Sequence, residues 1–95
     1  MRFTFAAAAV TLLAAQAHGY VTYWCTGDGV CDNSPGVGPT YDCGKKLKLG
    51  DYDSKRKRWS HGGDEVNWDK FWRTGGFYDC CHDKNKGACY DVQNT

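Results

Sequence analysis

The sequence predicts a small disulfide-rich α+β domain of four or five short antiparallel strands with one helix. Three observations predict it. Six cysteines all lie after an apolar N-terminal leader. Short runs of aromatic and β-branched residues alternate with stretches rich in glycine, asparagine and aspartate, the pattern of strands and turns. One segment, residues 64–74, carries its large apolar residues at helical spacing.

The leader reads as an export signal over residues 1–19. Met1-Arg2 supplies a positive start, and Phe3 to Ala15 is apolar apart from Thr4 and Thr11. That run is too short and too rich in alanine to span a bilayer. Small residues at Ala15 and Ala17 predict cleavage after Ala17, leaving His18 at the new terminus; Ala17 and Gly19 allow cleavage before Tyr20 instead. No later segment is apolar enough to cross a membrane, so residues 20–95 are expected as a single exported domain without stable membrane insertion.

So short a chain buries too small a core to outweigh chain entropy comfortably, and domains of this size recruit staples. An even number of cysteines in an exported chain reads as a disulfide framework: Cys25, Cys31, Cys43, Cys80, Cys81 and Cys89. Zinc is disfavoured because paired C-x2-C units are missing. The neighbours Cys80 and Cys81 are poor partners for each other, since on a strand their side chains point to opposite faces. The long interval between Cys43 and Cys80 predicts that at least one bridge joins the N-terminal part to the C-terminal part. In the chain-entropy model each bridge contributes roughly 2–4 kcal/mol.

Along the chain, Tyr20 to Cys25 reads as a strand. Residues 26–44 carry five glycines, two prolines, Asn33 and Ser34, and read as a loop held by Cys31 and Cys43. Leu47 and Leu49, alternating with lysines, predict a half-exposed strand, with residues 50–54 turning it and Arg56 to Ser60 returning as its partner. The helix over residues 64–74 opens on Asp64 and Glu65, ends near Arg73 and stops at Gly75-Gly76. Its Trp68, Phe71 and Trp72 form one aromatic face. That face is expected to pack on the sheet, because Val21, Val30, Val37, Leu47, Leu49, Val66 and Val92 are nearly the whole aliphatic supply. The livelier alternative is an exposed carbohydrate-binding stripe. Phe77 to His82 and Ala88 to Val92 predict a closing hairpin.

Charge narrows the function classes. Twelve Lys and Arg face eleven Asp and Glu, and loss of Arg2 with the leader leaves the mature chain neutral. Neutrality argues against a general nucleic-acid binder or a membrane-lytic peptide. Basic charge concentrates over residues 45–58, where Lys45, Lys46, Lys48, Lys55, Arg56, Lys57 and Arg58 face only Asp51 and Asp53. Within it, the run Lys55 to Arg58 is followed by Trp59. It reads as a charged turn, as a pair of dibasic processing signals, or as a binding patch with Trp59 and Tyr52 for stacking. His61, Glu65, His82 and Arg73 could supply a ribonuclease-like set only if the fold gathered them. Ser34, Ser54 and Ser60 lie in loop-like surroundings unsuited to a nucleophile. Asp28-Gly29 and Asp32-Asn33 lack the spacing of a calcium loop and read as turns. No catalytic residue, cofactor or metal is assigned.

Residues 17–25, Ala-His-Gly-Tyr-Val-Thr-Tyr-Trp-Cys, carry a resemblance. With the export signal, the short mature chain and six cysteines, they make the chain similar to the small secreted cysteine-rich proteins of filamentous fungi, many of them candidate effectors released into plant tissue. Tyr23-Trp24-Cys25 resembles the aromatic-x-Cys motif that follows the signal in mildew-type effectors, and the early-to-late pairing of that family implies Cys25 with Cys89. His18-Gly19-Tyr20-Val21 also resembles the mature N-terminus of fungal copper-dependent polysaccharide monooxygenases, where His61 or His82 would be the second copper ligand; the chain is too short for that scaffold. The expectation is a secreted, non-enzymatic, effector-like protein that acts by surface binding to a host or microbial protein or a cell-wall polymer. A small toxin or antifungal protein and a ribonuclease-like enzyme are the alternatives.

Overall fold

The computed structural model of the protein describes residues 19–93. The export signal read over residues 1–19, apart from Gly19, lies outside them. A four-stranded antiparallel sheet runs in the order β2-β3-β1-β4, built from β1 (Tyr20–Thr26), β2 (Asp51–Asp53), β3 (Arg58–Gly62) and β4 (Gly87–Gln93). Three short helices accompany it: α1 (Pro39–Leu47), α2 (Trp68–Trp72) and α3 (Phe77–Asp83). The sheet, the helical content and three disulfides make this the α+β disulfide-rich domain that the sequence predicts, with four strands.

β1 is one of the two inner strands, paired along its length with β4 and over its first four residues with β3, so that Val21 lies opposite both His61 and Val92. Its alternation sets the layers. Val21, Tyr23 and Cys25 point to one face and are fully buried under the helices. Tyr20, Thr22 and Trp24 point to the other face. The helix side holds the core, in which Trp59, Leu49, Val66, Phe71 and Phe77 join the β1 residues and the cysteines. Rings fill the space that aliphatic side chains cannot, as the shortage of valine and leucine requires.

The helices depart from expectation in ways that local chemistry explains. The last six residues of the supposed loop over residues 26–44 belong to α1, with Pro39 at its start, Asp42 in its first turn and Lys45 and Lys46 in its last. Leu47 therefore ends a helix and begins no strand. Gly44 lets α1 lie against the indole of Trp59, for a Cβ there would stand 2.0 Å from the ring nitrogen. The Trp59 Nε1–H donates to the Thr40 carbonyl at 2.7 Å and fixes the same contact. Residues 50–54, expected as a turn, contain β2; the turn follows at Ser54–Lys57. The helix expected over residues 64–74 shrinks to α2, because Asn67 caps it by accepting the Lys70 N–H at 3.1 Å.

Phe77 to His82 belongs to α3 and forms no hairpin with Ala88 to Val92, which instead lies in β4 beside β1. The cysteines account for the difference. On a helix, adjacent residues diverge by about 100°, so Cys81 reaches Cys25 of β1 while Cys80 reaches Cys43 of α1. The third bridge joins Cys31 to Cys89. The pairing of Cys25 with Cys89 is thus corrected: each bonds across the molecule, but to Cys81 and Cys31 respectively. The first two bridges pack together, with the sulfurs of Cys25, Cys43 and Cys81 all within 4.8 Å of one another. As oxidised sulfurs they carry no thiolate to offer a metal.

Candidate functional site

The chemistry-bearing residues singled out from the sequence do not converge. His61 lies on the core side of β3, where its Nδ1 contacts the Gly62 carbonyl at 2.9 Å and its Nε2 meets the Tyr23 hydroxyl at 2.5 Å. A carbonyl only accepts, so Nδ1 carries the proton and Nε2 receives the phenolic one. His82 lies on α3 with its ring stacked on Tyr78 at 4.2 Å. Arg73 pairs with Asp69 at 3.6 Å, an exposed contact of the kind that contributes little. Glu65 edges a different hollow. His61, His82 and Arg73 each have a partner outside the set, and among the described residues no hydrogen bond or ion pair joins any two of the four. Asp28 accepts from the Thr26 hydroxyl and the Val30 N–H, both at 3.0 Å, and Asp32 from the Ser34 N–H at 2.9 Å, so both close turns. The bond from the Val30 N–H, then that from Thr26, holds the Asp28 carboxyl below its ordinary value.

The basic run divides in two. Lys55, Arg56 and Lys57 are exposed on the turn between β2 and β3, whereas Arg58 and Trp59 are buried. Trp59 packs between Tyr41 and Tyr52 and is not free to stack on a ligand. The Arg58 guanidinium lies 3.6 Å above the Trp24 ring and donates to the carbonyls of Asp32 and Ser34 at 2.8 and 2.9 Å. It clamps the loop after β1 onto the outer face of the sheet. A contact patch at this place therefore has three side chains, not five.

The surface that does assemble is aromatic. Trp68 and Trp72, expected in the core, are 48% and 54% exposed, and Tyr90 beside them is 42% exposed. The reason is the length of α2. One and a half turns present a narrow inner stripe, and Phe71 alone occupies it, at 1% exposure. Trp68 and Trp72, one helical turn apart, stand nearly parallel at 15° with centroids 6.4 Å apart. Tyr90 meets Trp68 edge-on at 5.1 Å, and Tyr78 meets Trp72 at 4.8 Å. With His82 beyond Tyr78, the rings form a continuous strip across β4, α2 and α3. Phe71 supports it from beneath, touching Trp68, Trp72, Tyr78 and Tyr90.

At the Tyr90 end the strip opens into a hollow of about 340 Å³ lined by Asp64, Glu65, Val66, Trp68, Tyr90 and Val92. Its floor is apolar, its walls are rings, and two carboxylates supply hydrogen-bond acceptors. No protein-family model, curated protein or solved structure matches the chain. The functional reading therefore stands on this geometry. Among the described residues no helix is long and apolar enough to cross a membrane.

Proposed function

We propose that this chain is a secreted, effector-like binding protein that attaches to a cell-wall polysaccharide of a host or competitor through the aromatic strip, without catalysis of its own. One observation carries the reading. A domain short of apolar residues leaves two tryptophans and a tyrosine about half exposed and packed against one another. Burying even one would stabilise so small a core by an appreciable amount. Contiguous exposed rings of this kind mark contact surfaces.

The polysaccharide class follows from the shape and chemistry of the strip. The axial C–H groups of a pyranose are weakly positive and pack on the negative face of an indole. Two near-parallel indoles one helical turn apart, with Tyr90 set edge-on beside them, suit a polymer that offers an apolar face at successive sugars. The carboxylates of Asp64 and Glu65 beside Trp68 can accept from sugar hydroxyls. The leader, the disulfide framework and the resemblance to fungal secreted proteins support a site of binding outside the producing cell.

Sedimentation with insoluble chitin, β-glucan and cellulose tests the reading. The native protein should pellet with at least one polymer, and the Trp68→Ala/Trp72→Ala variant should stay in the supernatant while still folding and melting cooperatively. Equal retention of the two proteins on every polymer would remove the strip from the function.

A further inference from the structure

All three disulfides join the segment before the basic turn to the segment after it. Cys25, Cys31 and Cys43 precede Lys55, and their partners Cys81, Cys89 and Cys80 follow Arg58. The chain could be opened at this turn without losing either half. Exposed loop tips are where folded domains are nicked, and this tip carries two Lys-Arg pairs in succession, Lys55-Arg56 and Lys57-Arg58.

The two pairs are not equivalent. A protease specific for paired basic residues must take the second arginine into its own acidic pocket. The Arg58 side chain is 7% exposed, stacked on Trp24 and bound to two carbonyls, and its backbone lies in β3 opposite Asp53. Using it would require extraction of the clamp and unzipping of the strand. Lys55 and Arg56 project from the turn Ser54–Lys57 and are exposed. The next residue, Lys57, has φ 53, a left-handed conformation unfavourable for a side chain with a Cβ. Hydrolysis between Arg56 and Lys57 releases that constraint. The interactions at stake are the bonds from the Lys55 and Arg56 N–H groups to Asp53, which are exposed, and the 2.9 Å bond from the buried Gly36 N–H to the Arg56 carbonyl, whose oxygen still accepts as part of the new carboxylate.

We propose that the turn is a maturation site, cut between Arg56 and Lys57 by a secretory endopeptidase specific for paired basic residues, and that the mature protein is two chains held by three disulfides. Water adds across one peptide bond, the Arg56 carbonyl becomes a carboxylate, and the Lys57 nitrogen becomes an α-ammonium. The aromatic strip lies entirely within the second chain, on residues 68–90, so this inference does not depend on what the strip binds. The bridges change their role. In the uncut protein they reinforce a continuous chain; in the cut one they are its sole covalent link, and reduction lets the halves separate.

Incubation of the purified, oxidised protein with a dibasic-specific secretory endopeptidase decides the matter. The expected product is one water heavier, runs as one band before reduction and two after it, and gives a second chain beginning at Lys57. Arg56→Gln, which alters an exposed side chain, should fold and melt as the parent does and resist the cut. An uncut protein after incubation would overturn the proposal. A second chain beginning at Trp59, or cleavage of Arg56→Gln at the parent's rate, would equally overturn the assigned bond.

Discussion

The hydroxyl of Tyr23, at the centre of β1, accepts the backbone N–H of Asn67 at 2.8 Å, although the two residues are 44 positions apart. Asn67 is the cap from which α2 begins, so the strand that organises the core also fixes the origin of the helix bearing Trp68 and Trp72. The same hydroxyl donates its proton to Nε2 of His61. One phenol thus couples sheet, helix and β3.

Tyr23→Phe should therefore cost more than the loss of a peripheral contact. The ring volume is conserved, but the Asn67 N–H is left without a partner, a penalty of about 1–3 kcal/mol. The urea midpoint should fall accordingly, and polysaccharide retention should weaken as the start of α2 loosens. An unchanged midpoint would show that Asn67 is held by other means.

Exposure separates the aromatic residues of α2 by role. Phe71→Ala opens a cavity at the junction of Tyr23, Phe77 and the strip, and should cost about 3–5 kcal/mol. Trp68→Ala and Trp72→Ala remove half-exposed rings and should each cost about 1 kcal/mol or less, near the range of surface substitutions. Thermal melting of the three variants checks the order. A Trp68→Ala loss as large as that of Phe71→Ala would return the ring to a structural role.

That reversal of roles marks where the sequence is readable and where it is not. β1 and β4 are legible because aromatic and β-branched residues alternate in them and the pattern survives folding. The spacing of Trp68, Phe71 and Trp72 reveals a shared helical face, but not that the helix is too short to bury more than its middle ring. The cue lay in Asn67, a stronger cap than Asp64 because Val66 must first turn into the core. α1 was hidden by five glycines and two prolines nearby, although Pro39, Asp42, Lys45 and Lys46 stand where a helix favours them. α3 reads as a strand because Phe77 and Tyr78 favour sheets, but its two bridges lie together in the core, which suits neighbours about 100° apart on a helix and not neighbours on opposite faces of a strand. Tyr90 could not be joined to Trp68 without knowing that β4 pairs with β1.

Alkaline conditions should destabilise the fold through two phenols. Burial raises the Tyr23 hydroxyl above its ordinary value of 10.0, only partly offset by the Asn67 N–H. Tyr52 is raised as well, by burial first and then by Tyr41 and Asp53. A group raised in the folded state holds its proton more tightly there. Its contribution is complete below pH 10 and is lost as the pH climbs through 10 towards the folded value. The urea midpoint should be flat with respect to these groups below that point and fall above it, and Tyr52→Phe should reduce the slope. A midpoint that rises above pH 10 would contradict the burial of both rings.

The three bridges should yield to reductant in a fixed order. Cys25 and Cys81 are fully buried, Cys43 is buried with its partner Cys80 half-covered, and both bridges lie in the core. Cys31 sits on the exposed loop that closes over Trp24 on the outer face, so its sulfur is open to attack although its partner Cys89 is buried. Thiol–disulfide exchange needs an attacking thiolate to reach a sulfur along the bond, so access governs the rate. Cys31 and Cys89 should be the first to take up an alkylating label at limiting reductant, leaving an intermediate with both core bridges intact. That intermediate should keep its sheet and helices, since the loop is still held by Arg58 through the carbonyls of Asp32 and Ser34. Replacing the pair by Cys31→Ala/Cys89→Ala should lower stability by at most ~4 kcal/mol, the chain-entropy value for a loop of this length. The loss should be smaller to the extent that the Arg58 clamp restrains the same loop, and Arg58→Ala in that background should then cost more than it does alone. Peptide mapping of the labelled intermediate checks the order, and early labelling of Cys25 or Cys81 would show that the core opens before the loop lifts.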